Sequence, residues 1–282
     1  MTIFVLPFEK MHGLGNDFIM LERRFMPNSI EDSYLAKKLC NRNFGIGADG
    51  IIIFDWADSN QADFKWDYYN SDGSIGEMCG NGMRCFAKYI YEKGLSDSPE
   101  FKVQTLAGII TPRVEDNGLV TVNIGKPKLP INLKSNIHFK DKTFDYTYIE
   151  TGNPHAVIFC DNPVEDEIFL KYGPLIECHS NFPSKTNVEF AYVRNTMNQI
   201  DLRVWERGAG ATLACGTGAC ATVVAAILNK LVKRQKICVY LPGGALDVWW
   251  DKITENLFMS GPSEFVFSGN FNLLILSKTS IS

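Results

Sequence analysis

The chain has 282 residues, enough for two domains of ordinary size, and is 45% hydrophobic and 21% charged with a net charge of −4. That balance excludes a disordered or fibrous chain, and without a basic surplus neither nucleic acid nor an anionic membrane is an expected partner. A small molecule is. Residues 1–8 are apolar but lack a basic flank and a cleavage site, and the longest apolar run, 219–228, is too short to span a bilayer, so a cytoplasmic location is expected. The eight cysteines are scattered rather than framed as in small secreted domains, which reads as free thiols.

In chain order, periodicity and bounding turn residues predict a helix over 30–39, strands over 50–54 and 64–69, a helix over 83–93, and strands over 103–106, 120–124 and 156–159. A partial helix over 166–172, strands over 188–193 and 202–205, a helix over 218–231, and strands over 237–241 and 273–276 complete the series. Gly94 stands where a left-handed cap would end its helix. Between 219 and 228 only Thr222 is polar, so that helix should be enclosed by protein.

Cys79-Gly80-Asn81-Gly82 and Cys215-Gly216-Thr217-Gly218 lie 136 residues apart, each leading into a helical pattern. Asn70 and Glu206, and Gly108 and Gly244, keep the same offset; Gly15-Asn16 with Gly152-Asn153, and Asp49-Gly50 with Thr186-Asn187, differ from it by one residue. A layout written twice implies duplication. The expected fold class is α+β: two similar domains related by a pseudo-twofold duplication, each a curved mixed or antiparallel sheet around a central buried helix. A doubly wound βαβ sheet would need more helices than the sequence offers. The domains are expected at 1–123, with 269–282 returning as the last strand, and at 124–268, with the active site in the cleft between them.

A helix start presents unpaired N–H groups and a partial positive charge, glycines let backbone approach a ligand, and a cysteine there is expected to have a lowered thiol pKa. Each string is thus a thiol and a carboxylate cradle together. Two such devices suit inversion of a carbon beside a carboxylate, one thiolate removing the proton and the other thiol returning it.

Asn70-Ser71-Asp72-Gly73-Ser74 followed by Cys79-Gly80-Asn81-Gly82-Met83-Arg84 resembles the signature of the diaminopimelate epimerase family. So do Met11-His12-Gly13-Leu14-Gly15-Asn16-Asp17-Phe18, Gly152-Asn153-Pro154-His155, Glu206-Arg207-Gly208-Ala209-Gly210 and Ala214-Cys215-Gly216-Thr217-Gly218-Ala219-Cys220, in the family's order from residue 11 to residue 262. The resemblance implies a cofactor-independent, metal-free isomerase that interconverts LL- and meso-2,6-diaminopimelate, on the route to lysine and, in bacteria, to peptidoglycan. It implies Cys79 and Cys215 as the acid–base pair, and Asn16, Asn70, Asn153, Asn187, Glu206 and Arg207 as holding the substrate's ammonium and carboxylate groups. Gly80-Asn81 and Gly216-Thr217 would cradle the reacting carboxylate, with His155 and Glu206 tuning the site. A homodimer is also expected. Two positions depart from the family pattern: Ala211, where many members are acidic, and Gly50, where some carry Gln.

Other readings compete. The same thiol pair would serve a proline, hydroxyproline or histidine racemase, and the scaffold could carry a thiol-independent isomerase or a binding protein; Glu206-Arg207 favours a substrate with a second zwitterionic end. Zinc on Cys79/Cys85 and Cys215/Cys220 is disfavoured by spacing. Gly45-Ile46-Gly47-Ala48-Asp49-Gly50 matches a dinucleotide fingerprint but precedes a strand, so it reads as a turn. Cys40, Cys160, Cys178 and Cys238 read as small buried residues, Cys85 and Cys220 as helix packing, and His12 as either a turn residue or a functional one.

Overall fold

The structure, a computed structural model, describes residues 2–275 apart from 28, 59, 196, 197 and 234. Two compact units emerge, Met1–Gly118 with Ser263–Ser282, and Leu119–Pro262. The part of the tail beyond residue 275, including the end of the strand expected at 273–276, lies outside the described residues.

In the first unit, the strand Thr2–Gly13 runs antiparallel to Asn16–Glu22, which runs parallel to Gly50–Trp56. Gly50–Trp56 is antiparallel to Phe64–Asn70, Phe64–Asn70 is parallel to Val103–Thr105, and Val103–Thr105 is antiparallel to Gly108–Ile110. The strand Glu264–Ile275 pairs with Thr2–Gly13 and closes the order at that side. The second unit repeats this sequence of pairings: Thr143–Glu150, Pro154–Phe159, Asn187–Val193, Gln199–Glu206, Ile237–Leu241 and Gly244–Trp250, with the same alternation of senses. It then adds Leu257–Gly261 and Val120–Gly125. The sheets are mixed, and the fold is the duplicated α+β architecture the sequence implies.

Each parallel pair needs a crossover, and the four helices supply them. Helix α1 (Asp32–Cys40) and helix α3 (Asp166–Glu177) make the first crossover of their units; helix α2 (Gly80–Glu92) and helix α4 (Gly216–Leu228) make the second. Because strand side chains alternate in direction, the two crossovers in each unit cover opposite sheet faces. Ile51 and Ile53 pack with Leu35 and Leu39 of α1, whereas Phe54 meets Phe86 of α2. Val188 and Phe190 likewise pack with Phe169 and Tyr172 of α3, which leaves Asn187 and Glu189 on the α4 face. Helix α4 rests on five strands of its unit, and ten of its thirteen residues are buried, as its almost unbroken apolar sequence requires.

Helices α2 and α4 begin earlier than periodicity predicts, at Gly80 and Gly216, because each cysteine is the N-cap and the Gly-Xaa-Gly string forms the first turn. Their ends also match. Gly94 has φ +66°, with Leu95 N–H donating to Ile90 O at 3.0 Å and Gly94 N–H to Tyr91 O at 3.1 Å. In α4 the corresponding bonds are Leu231 to Ala226 O at 2.9 Å and Lys230 to Ile227 O at 3.0 Å. Helix α1 starts at Asp32 rather than residue 30, and α3 continues to Glu177 through Pro174. The strands Thr2–Gly13, Asn16–Glu22, Thr143–Glu150, Gly244–Trp250 and Leu257–Gly261 were not predicted. Gly47 (φ +80°) lies in the turn that delivers Gly50 to its strand.

Candidate active site

In the first unit, Cys79 caps α2 from an extended conformation and is partly exposed. Asn16, first residue of its strand, donates through Nδ2 to Asp49 Oδ2 at 2.8 Å. An ionised carboxylate only accepts, so this bond turns Asn16 Oδ1 towards Asn81 Nδ2, at 3.1 Å, and the Cys79 sulfur, at 3.9 Å. Asp49 is held in turn by Arg42 at 2.8 Å, and Arg42 and Lys10 also clasp Asp17. Asn70 ends its strand, accepts from Tyr68 Oη at 2.6 Å and donates to Ser74 Oγ at 2.9 Å. Gly50 has a local reason: a Cβ there would stand 2.7 Å from both the Tyr68 ring and the Tyr69 carbonyl oxygen, so in this chain ring and backbone together take the space a longer side chain at 50 would need. His12 Nδ1 accepts from Gly15 N–H at 3.3 Å, a turn bond.

In the second unit, Cys215 caps α4, 4% exposed. Its sulfur accepts from Gly218 N–H at 3.4 Å and lies 3.5 Å from Thr217 Oγ1, with the Glu206 carboxyl group nearby. Glu206 also accepts from Thr212 Oγ1 at 2.5 Å. Burial pushes the Glu206 carboxyl up, against the opposing pull of the Thr212 hydroxyl and the neighbouring Cys215. The Cys215 thiol is raised well above its ordinary value by burial first, then by the Glu206 and Glu189 carboxylates. This corrects the expected lowering: one Gly218 N–H and a helix end are outweighed by desolvation and two acidic neighbours. Thr151 Oγ1 donates to Thr217 O at 3.1 Å and fixes the first turn of α4.

His155 is fully buried, with Nδ1 2.6 Å from Glu189 Oε1 and Nε2 2.8 Å from Asn153 Oδ1. Asn187 accepts from Arg207 N–H at 2.9 Å and donates to Pro154 O at 2.8 Å, tying three strand ends together. Arg207 is exposed, its guanidinium donating to Ser184 O at 3.2 Å, and the turn after it is anchored where Glu177 accepts from Gly208 N–H at 3.0 Å and from Trp205 Nε1 at 2.9 Å.

The sequence-predicted residues therefore gather in groups: Asn16, Cys79 and Asn81 hydrogen-bonded in one unit; Cys215 and Thr217 in contact with Glu206 close by, then Asn153 bonded to His155, then Asn187 bonded to Arg207, in the other. Sequence reasoning missed Asp49, Tyr68, Thr212 and Glu189. For Glu189 a signal existed: a lone acidic residue inside the apolar strand Asn187–Val193. Cys178 needs correction, since it caps the C-terminus of α3 and is exposed rather than buried; Cys160 and Cys238 are only partly buried. All eight cysteines are free thiols, no cluster of metal-ligating side chains occurs among the described residues, and no described helix is long and apolar enough to cross a membrane.

Residues 8–130 and 147–266 match the family described as Diaminopimelate epimerase. The diaminopimelate epimerase of Carboxydothermus hydrogenoformans is 46% identical over 283 residues, covering 95% of this chain and 100% of that protein. That of Halothermothrix orenii is 43% identical over 281 residues, with 94% and 97% covered. Among solved structures, a hydroxyproline epimerase from Agrobacterium vitis superposes with a TM-score of 0.72 at 14% identity, over 96% of this chain and 93% of that one. A phenazine biosynthesis protein of the PhzF family from Bacillus anthracis gives 0.71 at 16%, over 98% and 100%. At such identities the structural likeness concerns the fold alone.

Proposed function

We propose, from the premise that this chain belongs to the diaminopimelate epimerase family, that it interconverts LL- and meso-2,6-diaminopimelate without metal or organic cofactor, in lysine and peptidoglycan precursor synthesis. The observation that carries the reading is a cysteine at the N-cap of each of two matching helices, in a chain nearly half identical to named diaminopimelate epimerases over almost its full length. One thiolate takes the α-proton, the electron pair passes into the substrate carboxylate as an enolate, and the other thiol returns a proton to the opposite face. The environment of Cys215, dry and beside two carboxylates, favours the thiol at rest. Cys215 is then the resting acid and Cys79 the base.

Helix-start N–H groups at Gly80-Asn81 and Gly216-Thr217 suit the charge that develops on the carboxylate. The Asn16, Asn70, Asn153 and Asn187 amides, with Glu206 and Arg207, suit the ammonium and carboxylate groups, and His155 supports the proton transfer. We place the enzyme in the cytoplasm as a homodimer. Support for a second copy comes from Ile3, Val5 and Leu274, exposed apolar residues on one face beside Glu264–Ile275, which has a single neighbour among the described strands.

The test is incubation with LL-diaminopimelate in heavy water. Wild-type enzyme should form the meso isomer with deuterium at the inverted carbon, while Cys79→Ala and Cys215→Ala each lower turnover by at least about a hundredfold and stay folded. Turnover of proline, hydroxyproline or histidine in place of diaminopimelate, or near-normal activity of either variant, would overturn the reading.

A further inference from the structure

Glu189 belongs to no motif of the sequence, yet it is a fully buried acid on the α4 side of its strand. Burying a carboxyl group is costly unless its bonds are made, and Oε2 has no hydrogen-bond partner among the described residues, so Oε1 and its bond to His155 carry the account of this side chain. The sequence also makes room for it. A Cβ on Gly218 would stand 2.9 Å from Glu189 Oε1 and 3.2 Å from Cys215 Sγ, so this helix position stays a glycine with the carboxyl group and the thiol crowding the same point.

The bonds on the imidazole define its protons. One proton lies between Glu189 Oε1 and Nδ1, whichever atom holds it, because the contact is 2.6 Å. Asn153 presents Oδ1 to Nε2 at 2.8 Å, and a carbonyl oxygen only accepts, so Nε2 carries a hydrogen in either arrangement. With its carbonyl engaged, Asn153 is left to present Nδ2, a donor suited to a carboxylate and unsuited to an ammonium group.

We propose that Glu189 is a positioning residue which, through His155, fixes the amide of Asn153 with its donor end towards the substrate's carboxylate. Remove the acid, and the ring can shift its proton to Nδ1. Nε2 then offers a lone pair, and the Asn153 amide turns over to satisfy it. Glu206 and Cys215 are the other titratable groups next to this pair, and the α4 helix start lies alongside them. The proposal rests on the epimerase reading of the site.

The experiment uses full-length protein with 15N-labelled histidine and the variant Glu189→Gln, which keeps the shape of the side chain and removes its charge. In substrate-free wild-type enzyme, Nε2 of His155 should be protonated at pH 8, and in Glu189→Gln a fraction of it should lose that proton. The variant should lower kcat for diaminopimelate by about ten- to a hundredfold with its melting temperature unchanged. In an Asn153→Ala background the same substitution should add little, because both act on one bond. An unprotonated Nε2 in wild type, an unchanged Nε2 or wild-type kcat in Glu189→Gln, or full additivity with Asn153→Ala would each overturn the proposal. Should the variant fail to fold, the wild-type spectrum decides. That spectrum needs no substrate, so an enzyme that ignores diaminopimelate but shows the expected Nε2 proton has failed the functional reading and not this one.

Discussion

Gly82 and Gly218 hold matching positions, each three residues after its cap cysteine, and a methyl group added at each would meet different chemistry. At Gly82 it would stand 3.1 Å from Ile52 Cδ1 and 3.3 Å from the Trp66 ring, all apolar and fully buried. At Gly218 it would meet the Glu189 carboxyl and the Cys215 sulfur instead. The two alanine variants should therefore part company. Gly82→Ala overpacks a core and should cost about 1–3 kcal/mol in denaturant unfolding, with kcat largely kept in the folded fraction. Gly218→Ala should cost at least as much stability, since its Cβ would displace the fully buried Glu189 carboxyl group, and should in addition lose at least about tenfold in kcat in the folded fraction as the carboxyl group and thiol move apart. Equal effects of the two on kcat would show that crowding at Gly218 has no special bearing on the reaction.

The element scale shows where the repeat is kept by backbone rather than by residue type. Helices α2 and α4 each run thirteen residues and end in the same pair of bonds, yet the left-handed position is Gly94 in one and Lys230, at φ +59°, in the other. A side chain there is strained, by about 1–2 kcal/mol against glycine. Lys230→Gly should thus stabilise the protein by about 0.5–1 kcal/mol, after allowance for the freer unfolded chain, and a drop in melting temperature would refute the matching of the caps.

That shared frame explains what could be read from the sequence. The 136-residue offset, the all-apolar stretch of α4 and the cysteine strings were visible because they repeat or are compositionally extreme. Thr2–Gly13 was not, since Pro7 and the charged Glu9 and Lys10 interrupt its alternation, and from Thr2 to Phe8 its pairing comes only from residues more than 250 positions away. The Cys215 environment was hidden for a related reason. A helix start is legible locally, but the two acids beside the sulfur come from separate strands brought together only by the sheet.

At the scale of the whole molecule, the chain leaves its first unit after Gly118, builds the second, and returns at Ser263. The return is stitched where Lys88 Nζ donates to Ser263 O at 2.9 Å and Ser263 Oγ to Arg84 O at 3.2 Å, and it then pairs along Thr2–Gly13 as far as Ile275. Leu273 enters the core formed by Leu6, Ile19, Leu35 and Ile51, a burial worth about 2 kcal/mol by itself. A chain stopped after Pro262 loses that core residue, both stitches and one neighbour of Thr2–Gly13, while every strand pairing described for the second unit remains. Hydrogen exchange on the truncated protein should show amide protection falling across residues 2–118 and persisting in Asn187–Val193 and Ile237–Leu241. Epimerase activity should vanish because the Cys79 helix starts in the weakened unit. Protection lost equally in both units would mean that they do not fold as the separate bodies their contacts define, and protection kept in both would mean that the returning strand is dispensable to the sheet it completes.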